Sequence, residues 1–282
     1  MVVTATDFSA RSEKAIERAA AIAKRVGAPL ALLHAINPHG FFSHLLEQKK
    51  IAPAPDEIKA KLDKKLAAIG VSGEAIVEYG APCEMIVNYA RAKQASLIVL
   101  GDHGDFQLRE LFVGTTAKNA IDQAKIPVLI VKSGGDGYKR VMIATDFSQC
   151  SKDAAAAALQ LFGDAEFLVF AAYLAPNDIA ASYYGVATHE LHQMLEDARA
   201  ETLSRLEAFV SELPFPQDRV KILARASSYP QETIAETAQS EGCDLLAIGT
   251  HGVTTTLSFL IGSTAESLLR KSVVDMLIFK ND

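Results

Sequence analysis

Two α/β domains in tandem, each a five-stranded parallel sheet with helices on both faces, form the architecture this sequence predicts. Three observations carry it: the chain repeats itself, short aliphatic runs alternate with helical patterns in each copy, and the composition supplies a core. Ala5-Thr-Asp-Phe-Ser9 recurs as Ala144-Thr-Asp-Phe-Ser148, 139 residues later. Gly101-Asp-His-Gly104 recurs as Gly249-Thr-His-Gly252, 148 residues later. Phe112–Ala117 against Leu260–Ala265, and Ile126–Lys132 against Val274–Lys280, keep that second offset. A repeat of this length is a whole domain rather than a solenoid unit. Copy two gains nine residues between the first two matched blocks.

Taken in order, copy one predicts strands over 2–6, 29–36, 74–79, 96–101 and 126–132, and helices over 10–26, 41–69, 82–94 and 115–124. Ser9 and Ser148 are expected N-caps, a hydroxyl after a strand satisfying the first free amides of a helix. Pro53-Ala-Pro55 should interrupt the long second helix, because proline lacks the amide and clashes with the preceding turn. Copy two predicts strands over 140–145, 166–173, 219–225, 244–249 and 273–279. Strand–helix alternation with right-handed crossovers gives a doubly wound, flavodoxin-like sheet in each copy. Ser133-Gly-Gly-Asp-Gly137 has the composition of a flexible linker. The expected boundaries are therefore residues 1–133 for the first domain, 134–138 for the linker and 139–282 for the second domain.

Composition narrows the function classes. Of 282 residues, 49% are apolar and 22% charged, which excludes intrinsic disorder and fibrous repeats. Apolar runs such as Leu97–Gly101 and Val128–Val131 are strand-sized, so no membrane span is expected. The N-terminus shows no secretory pattern, and Cys83, Cys150 and Cys243 lack paired spacing, which suits a reducing cytoplasm. The net charge of −6 argues against a nucleic-acid partner. Residues 1–137 carry 17 basic and 15 acidic side chains, and residues 138–282 carry 11 and 19, an asymmetry read as two differently solvated surfaces.

Ligands of open α/β sheets bind beyond the carboxyl ends of the strands, where the strand order reverses. Asp7 and Asp146 end the first strand of each copy. Gly101-x-x-Gly104 follows the fourth strand, then nine residues, then Gly114-Thr115 opening a helix; copy two has Gly249-x-x-Gly252, nine residues, Gly262-Ser263. Glycines let a phosphate approach bare backbone. A helix N-terminus supplies free amides and partial positive charge, a Thr or Ser hydroxyl adds a donor, and a strand-end aspartate can accept from ribose hydroxyls. Three glycines at fixed spacing match a given start about 3 times in 10,000, so two copies in equivalent context point beyond chance, although duplication copies a motif whether or not it works.

On these residues, with Leu33-His-Ala35, Leu97-Ile-Val-Leu-Gly101 and the closing Pro-Val-Leu-Ile-Val, the chain resembles the tandem two-domain members of the universal stress protein family, whose domains have the adenine-nucleotide α-hydrolase-like fold. The resemblance covers nearly all of both copies, and G-2x-G-9x-G-(S/T) is that family's pattern for members that bind ATP. It implies that Asp7 and Asp146 meet the nucleoside, that the backbone at Ala35 and Ala172 meets adenine, and that the glycines with Thr115 or Ser263 hold phosphates. The implied ligand is ATP, ADP or AMP, with Mg as an accompanying ion. The two copies would pair as an internal pseudo-dimer, with homodimerisation a further option. The implied role is that of a cytoplasmic stress sensor or regulator; a scaffold with degenerate sites and a weak ATPase are the alternatives. The family often has a basic residue after the second glycine, where this chain has Asp105 and Val253. An acidic group beside a triphosphate repels it by about 1 kcal/mol, which ranks copy two, with neutral Thr254-Thr-Thr256, as the better site.

Other patterns carry less. Ser133-Gly-Gly-Asp136 leads into a strand and is linker, and no G-x-x-x-x-G-K-(S/T) or G-x-G-x-x-G is present. His103 and His251, between glycines, are expected to fill turns, with ligand contact the alternative; His189 and His192 are expected on a solvated helix face, with a shared metal the alternative; and Asp275 in place of Pro127 has no evident meaning. No Ser–His–Asp spacing, tuned carboxylate pair or metal-ligand pattern emerges.

Overall fold

A computed structural model of the chain describes residues 1–36, 54–102, 115–135, 137–174, 188–250 and 262–280. They form two compact units, Met1–Gly137 and Tyr138–Asp282. The first unit runs β1 (Val2–Ala5), α1 (Ala10–Arg25), β2 (Leu30–Ile36), α2 (Pro55–Ile69), β3 (Gly73–Tyr79), α3 (Pro82–Ala92), β4 (Leu97–Gly101), α4 (Thr115–Gln123), β5 (Val128–Val131). The second runs β6 (Arg140–Ala144), α5 (Gln149–Phe162), β7 (Glu166–Leu174), α6 (Thr188–Ser211), β8 (Val220–Ser227), α7 (Pro230–Ser240), β9 (Leu245–Gly249), α8 (Ser263–Lys271), β10 (Asp275–Phe279).

Strand order within the first unit is β3-β2-β1-β4-β5, and within the second β8-β7-β6-β9-β10, every pairing parallel. The doubly wound α/β architecture is therefore as expected. From β1 the chain winds one way across the sheet and from β4 the other, so the order reverses between β1 and β4, and between β6 and β9. Val2, Val3, Leu97, Ile98 and Val99 are wholly buried, as are Leu245, Leu246 and Ala247. Continuous aliphatic runs suit strands covered on both faces. Ser9 and Ser148 cap α1 and α5, their hydroxyls accepting from the amides of Ser12 and Ser151 at 3.2 Å.

Four details sharpen or correct the expectations drawn from the sequence. The described part of the second helix begins at Pro55, which occupies its first turn, where its missing amide is harmless; residues 41–53 of the expected helix lie outside the described set. The added length of copy two falls between its second and third strands, where α6 has 24 residues against 15 in α2. The glycine-rich stretch is fastened rather than loose at Gly137, whose carbonyl accepts from Nη1 of the buried Arg18 at 2.8 Å. Gly135, at φ 139°, lies where a Cβ would stand 3.3 Å from Arg18 Nη2.

Asp275, finally, has a role. It is fully buried in β10 and accepts a 2.6 Å hydrogen bond from the hydroxyl of Tyr138, itself edge-on to Phe162 at 4.9 Å. The first residue of the second unit is thereby tied to its last strand. Tyr138→Phe deprives a buried carboxyl group of a donor, and should destabilise the second unit by about 1–3 kcal/mol in urea unfolding; an unmoved midpoint contradicts this.

Burial pushes the thiols of Cys83 and Cys243 up to about 11 from 9.0, with Glu84 and Asp122 adding to the rise at the first. At the second, Arg140 opposes it while Asp244 and Glu241 add to it. A raised folded value means the contribution to stability is complete below the unfolded thiol's pKa and is lost as pH climbs through about 11. Both thiols should resist a thiol reagent in the folded protein at neutral pH and react once it is unfolded in urea. Fast labelling of the folded chain contradicts this.

Candidate functional site

The corner after β1 is built from short polar side chains that bond their own backbone. Asp7 Oδ1 accepts from the amide of Ser9 at 3.0 Å, Thr6 Oγ1 accepts from the amide of Phe8 at 2.9 Å, and Phe8 adopts the left-handed φ of 64°. The corner after β6 repeats it: Asp146 Oδ1 accepts from Ser148 at 3.1 Å, Thr145 Oγ1 from Phe147 at 2.9 Å, and Phe147 has φ 68°. Both carboxylates face solvent. Partial burial tends to raise the Asp7 carboxyl, but hydrogen bonds from the hydroxyl and amide of Ser9, and from Ser12, outweigh it and hold the group below its ordinary value. Asp7 is therefore an ionised acceptor at neutral pH.

Strand register places the sequence-predicted residues. Ala5 pairs with Leu33 and Thr4 with Val99, so Asp7 comes level with Ala35, and Thr6 with Gly101, at the carboxyl edge of the first sheet. Ala144 pairs with Phe170 and Ile143 with Ala247, which brings Asp146 level with Ala172, and Thr145 with Gly249. Ser263 opens α8 and is joined to the β9 end through Gly262, whose amide donates to the Thr250 carbonyl at 2.9 Å. Thr115 opens α4, and the residues between it and Asp102 are outside the described set. Gly104, Gly114, Gly252, Asp105, His103, His251, Val253 and residues 254–256 also lie outside it.

The glycines prove to have packing reasons of their own. A Cβ on Gly249 would meet the backbone of Cys150 at 2.8 Å and of Ser151 at 2.9 Å, and one on Gly101 would meet the Arg11 carbonyl at 3.1 Å. The first glycine of each pattern thus lets the start of α1 lie directly on the end of β4, and the start of α5 on the end of β9. At Gly262 the φ of −59° is ordinary, but a Cβ would sit 2.4 Å from the Thr250 carbonyl oxygen. Its amide is already used, and α8 has no side-chain cap; its own bonding starts with the amide of Glu266 to the Gly262 carbonyl at 2.9 Å. The amides of Ser263, Thr264 and Ala265 are the donors a helix N-terminus offers to an anion.

The two clefts have different walls. In the first unit His34 Nδ1 lies 2.8 Å from the Thr6 carbonyl, which can only accept, so Nδ1 carries the proton. Its ring centroid is 4.8 Å from that of Phe8, and Arg11 Nε is 3.8 Å from Asp102. In the second unit the equivalents of His34 and Arg11 are Ala171 and Cys150, whose thiol donates to the Phe279 carbonyl at 3.1 Å. There, Phe147 packs edge-on against Phe209 at 6.4 Å with the Arg205 guanidinium 4.0 Å over its ring. Arg11 and Arg205 are cations near the mouths that spacing did not reveal. Arg11 could have been noticed in the first turn of α1, whereas Arg205 reaches its corner from a helix whose approach no local pattern reports. Ser12 and Ser151 were also missed, although Thr-Asp-Phe-Ser-x-x-Ser is identical in the two copies.

Aspartate, uncapped helix amides and a nearby cation can together accept from paired hydroxyls and hold an anion. Among the described residues no group of three or more His, Cys, Asp or Glu could hold a metal, and His189 and His192 are exposed on α6. No described helix is long and apolar enough to cross a membrane.

Residues 1–132 and 137–280 each match the family model described as the universal stress protein family. The chain is 30% identical over 147 residues to universal stress protein MJ0577 of Methanocaldococcus jannaschii, an alignment covering 45% of this chain and 91% of that protein. It is 31% identical over 144 residues to universal stress protein YxiE of Bacillus subtilis, covering 46% and 97%. A solved universal stress protein from Archaeoglobus fulgidus superposes with a TM-score of 0.68 at 20% identity, covering 100% of this chain and 98% of that one, which shows the shared fold.

Proposed function

This chain belongs to the universal stress protein family, and from that premise we propose that each unit binds an adenine nucleotide, ATP foremost, in its strand-end cleft, as part of a stress sensor or regulator. The observation that carries the reading is the duplicated corner presenting Asp7 and Asp146 at the point where the strand order reverses. A carboxylate there suits the two ribose hydroxyls. The free amides of α8, and the Gly-Thr entry of α4 in the first unit, suit phosphates. Bare backbone at Ala35 and Ala172, at the ends of β2 and β7, suits the base edge. Arg11 and Arg205 give each cleft a cation, so we assign nucleotide to both. With no carboxylate cluster among the described residues to cage a metal, a magnesium ion would be held by the phosphates.

Purified protein denatured and assayed by mass spectrometry should release ATP, ADP or AMP, and nucleotide-free protein should bind ATP by calorimetry. Absence of released nucleotide together with no heat at millimolar ATP overturns the reading and leaves the scaffold alternative.

A further inference from the structure

The side chains beneath the two aspartates form a directed chain of hydroxyls. In the first unit Ser12 Oγ donates its single proton to the Ser9 carbonyl at 2.9 Å. The 3.0 Å contact between Thr6 Oγ1 and Ser12 Oγ must then be a donation from Thr6. Thr6 in turn accepts from the Phe8 amide. The order Phe8 amide, Thr6 hydroxyl, Ser12 hydroxyl is thus fixed by counting protons, and Ser12 ends it on groups that can only accept, the Ser9 carbonyl and the Asp7 carboxylate. In the second unit Ser151 donates to the Ser148 carbonyl at 2.8 Å, Thr145 to Ser151 at 2.8 Å, and the Phe147 amide to Thr145. All four of these hydroxyl side chains are buried. They cannot reach a ligand, and α1 and α5 do not need them as caps, since Ser9 and Ser148 already cap those helices.

A third corner carries the same hydroxyl pair without the left-handed residue. After β8, Ser227 and Thr233 lie at the same spacing with oxygens 2.7 Å apart, and the Tyr229 amide donates to Ser227 at 3.0 Å. There the last link, Thr233 to the Tyr229 carbonyl, is stretched to 3.5 Å, and Tyr229 has an unstrained φ of −134°. Turning from a strand into a helix therefore does not itself require a left-handed residue. The strained conformation occurs at Phe8 and Phe147, next to the two aspartates, and such strain persists only where its surroundings enforce it.

We propose that Thr6 with Ser12, and Thr145 with Ser151, are positioning residues that hold the left-handed corner and so aim the aspartate of each cleft at its ligand. The proposal rests on the nucleotide reading for its ligand, and on the hydrogen bonds alone for its mechanism.

The full-length chain carrying Thr6→Val and Thr145→Val, which keep the shape and remove the hydroxyl, is compared with Thr6→Ser and Thr145→Ser, which keep the hydroxyl. ATP should bind about tenfold more weakly to the valine form, the equivalent of one lost hydrogen bond to a charged group, and close to normally to the serine form. The Asp7 carboxyl, followed by carbon NMR, should titrate below its ordinary value in wild type and in the serine form and move up in the valine form, a change that mere loss of stability does not produce. Should the valine form fail to fold, adding Phe8→Gly and Phe147→Gly, which accept the corner without strain, should restore folding, with Asp7 titrating as in wild type. Unchanged ATP affinity with an unmoved Asp7 titration in the valine form overturns the proposal. So does a glycine-supplemented form that stays unfolded. If wild type binds no ATP, the nucleotide reading falls, and the Asp7 titration still decides the role of the hydroxyls.

Discussion

Gly249→Val should unfold the second unit while leaving the first intact. The added side chain would begin 2.8 Å from the backbone carbon of Cys150 and 2.9 Å from the Ser151 amide, and neither atom can rotate away as a side-chain tip would. Either α5 lifts off the end of β9 or the strand shifts, and both disturb a core in which Leu245, Leu246 and Ala247 are wholly buried. Overpacking of this kind costs about 1–3 kcal/mol, and sits at the upper end where only backbone can give way. Urea unfolding followed by fluorescence and hydrogen exchange should show early loss of protection in residues 138–280 and wild-type protection in residues 1–135. A variant with an unchanged midpoint would show that α5 has room to give.

Asp7→Asn with Asp146→Asn should leave the fold in place and weaken ATP binding about tenfold to a hundredfold. Asparagine keeps the oxygen that accepts from Ser9 or Ser148, so the corner has no reason to collapse. What disappears is the charge that strengthens hydrogen bonds from ribose hydroxyls, and such bonds contribute about 1.5–3 kcal/mol each. The opposite result is also meaningful. If ATP binds more tightly to the double variant, the carboxylates lie near the phosphates and repel them, and the orientation assigned to the nucleotide is reversed.

What the sequence made legible was whatever depends on local pattern. Aliphatic runs placed each strand, because a strand covered on both faces must be apolar along its length. Ser9 and Ser148 were readable as caps, because a hydroxyl at a strand-to-helix junction has one evident use. Gly249 and Gly262 were readable as special but for an incomplete reason: phosphate chemistry explains a glycine as well as a close backbone contact does, and only coordinates separate the two. Asp275 looked meaningless because its partner Tyr138 lies 137 residues away in sequence. Arg205 was invisible for the same reason, its target Phe147 belonging to another element. The linker misled through composition: Gly135 and Gly137 look loose in sequence, while the residue that fastens Gly137 is a buried arginine on α1.

The assignment of both clefts depends on where the nucleotide binds. Amide chemical shifts followed by NMR during titration with ATP test this most directly. The largest changes are predicted at Asp7, Ala35, Gly101 and Thr115 in the first unit, and at Asp146, Ala172, Gly249, Ser263 and Thr264 in the second. Saturating changes confined to the opposite strand ends, around Arg140, Glu166 and Lys221, or a spectrum unmoved at millimolar ATP, would contradict it.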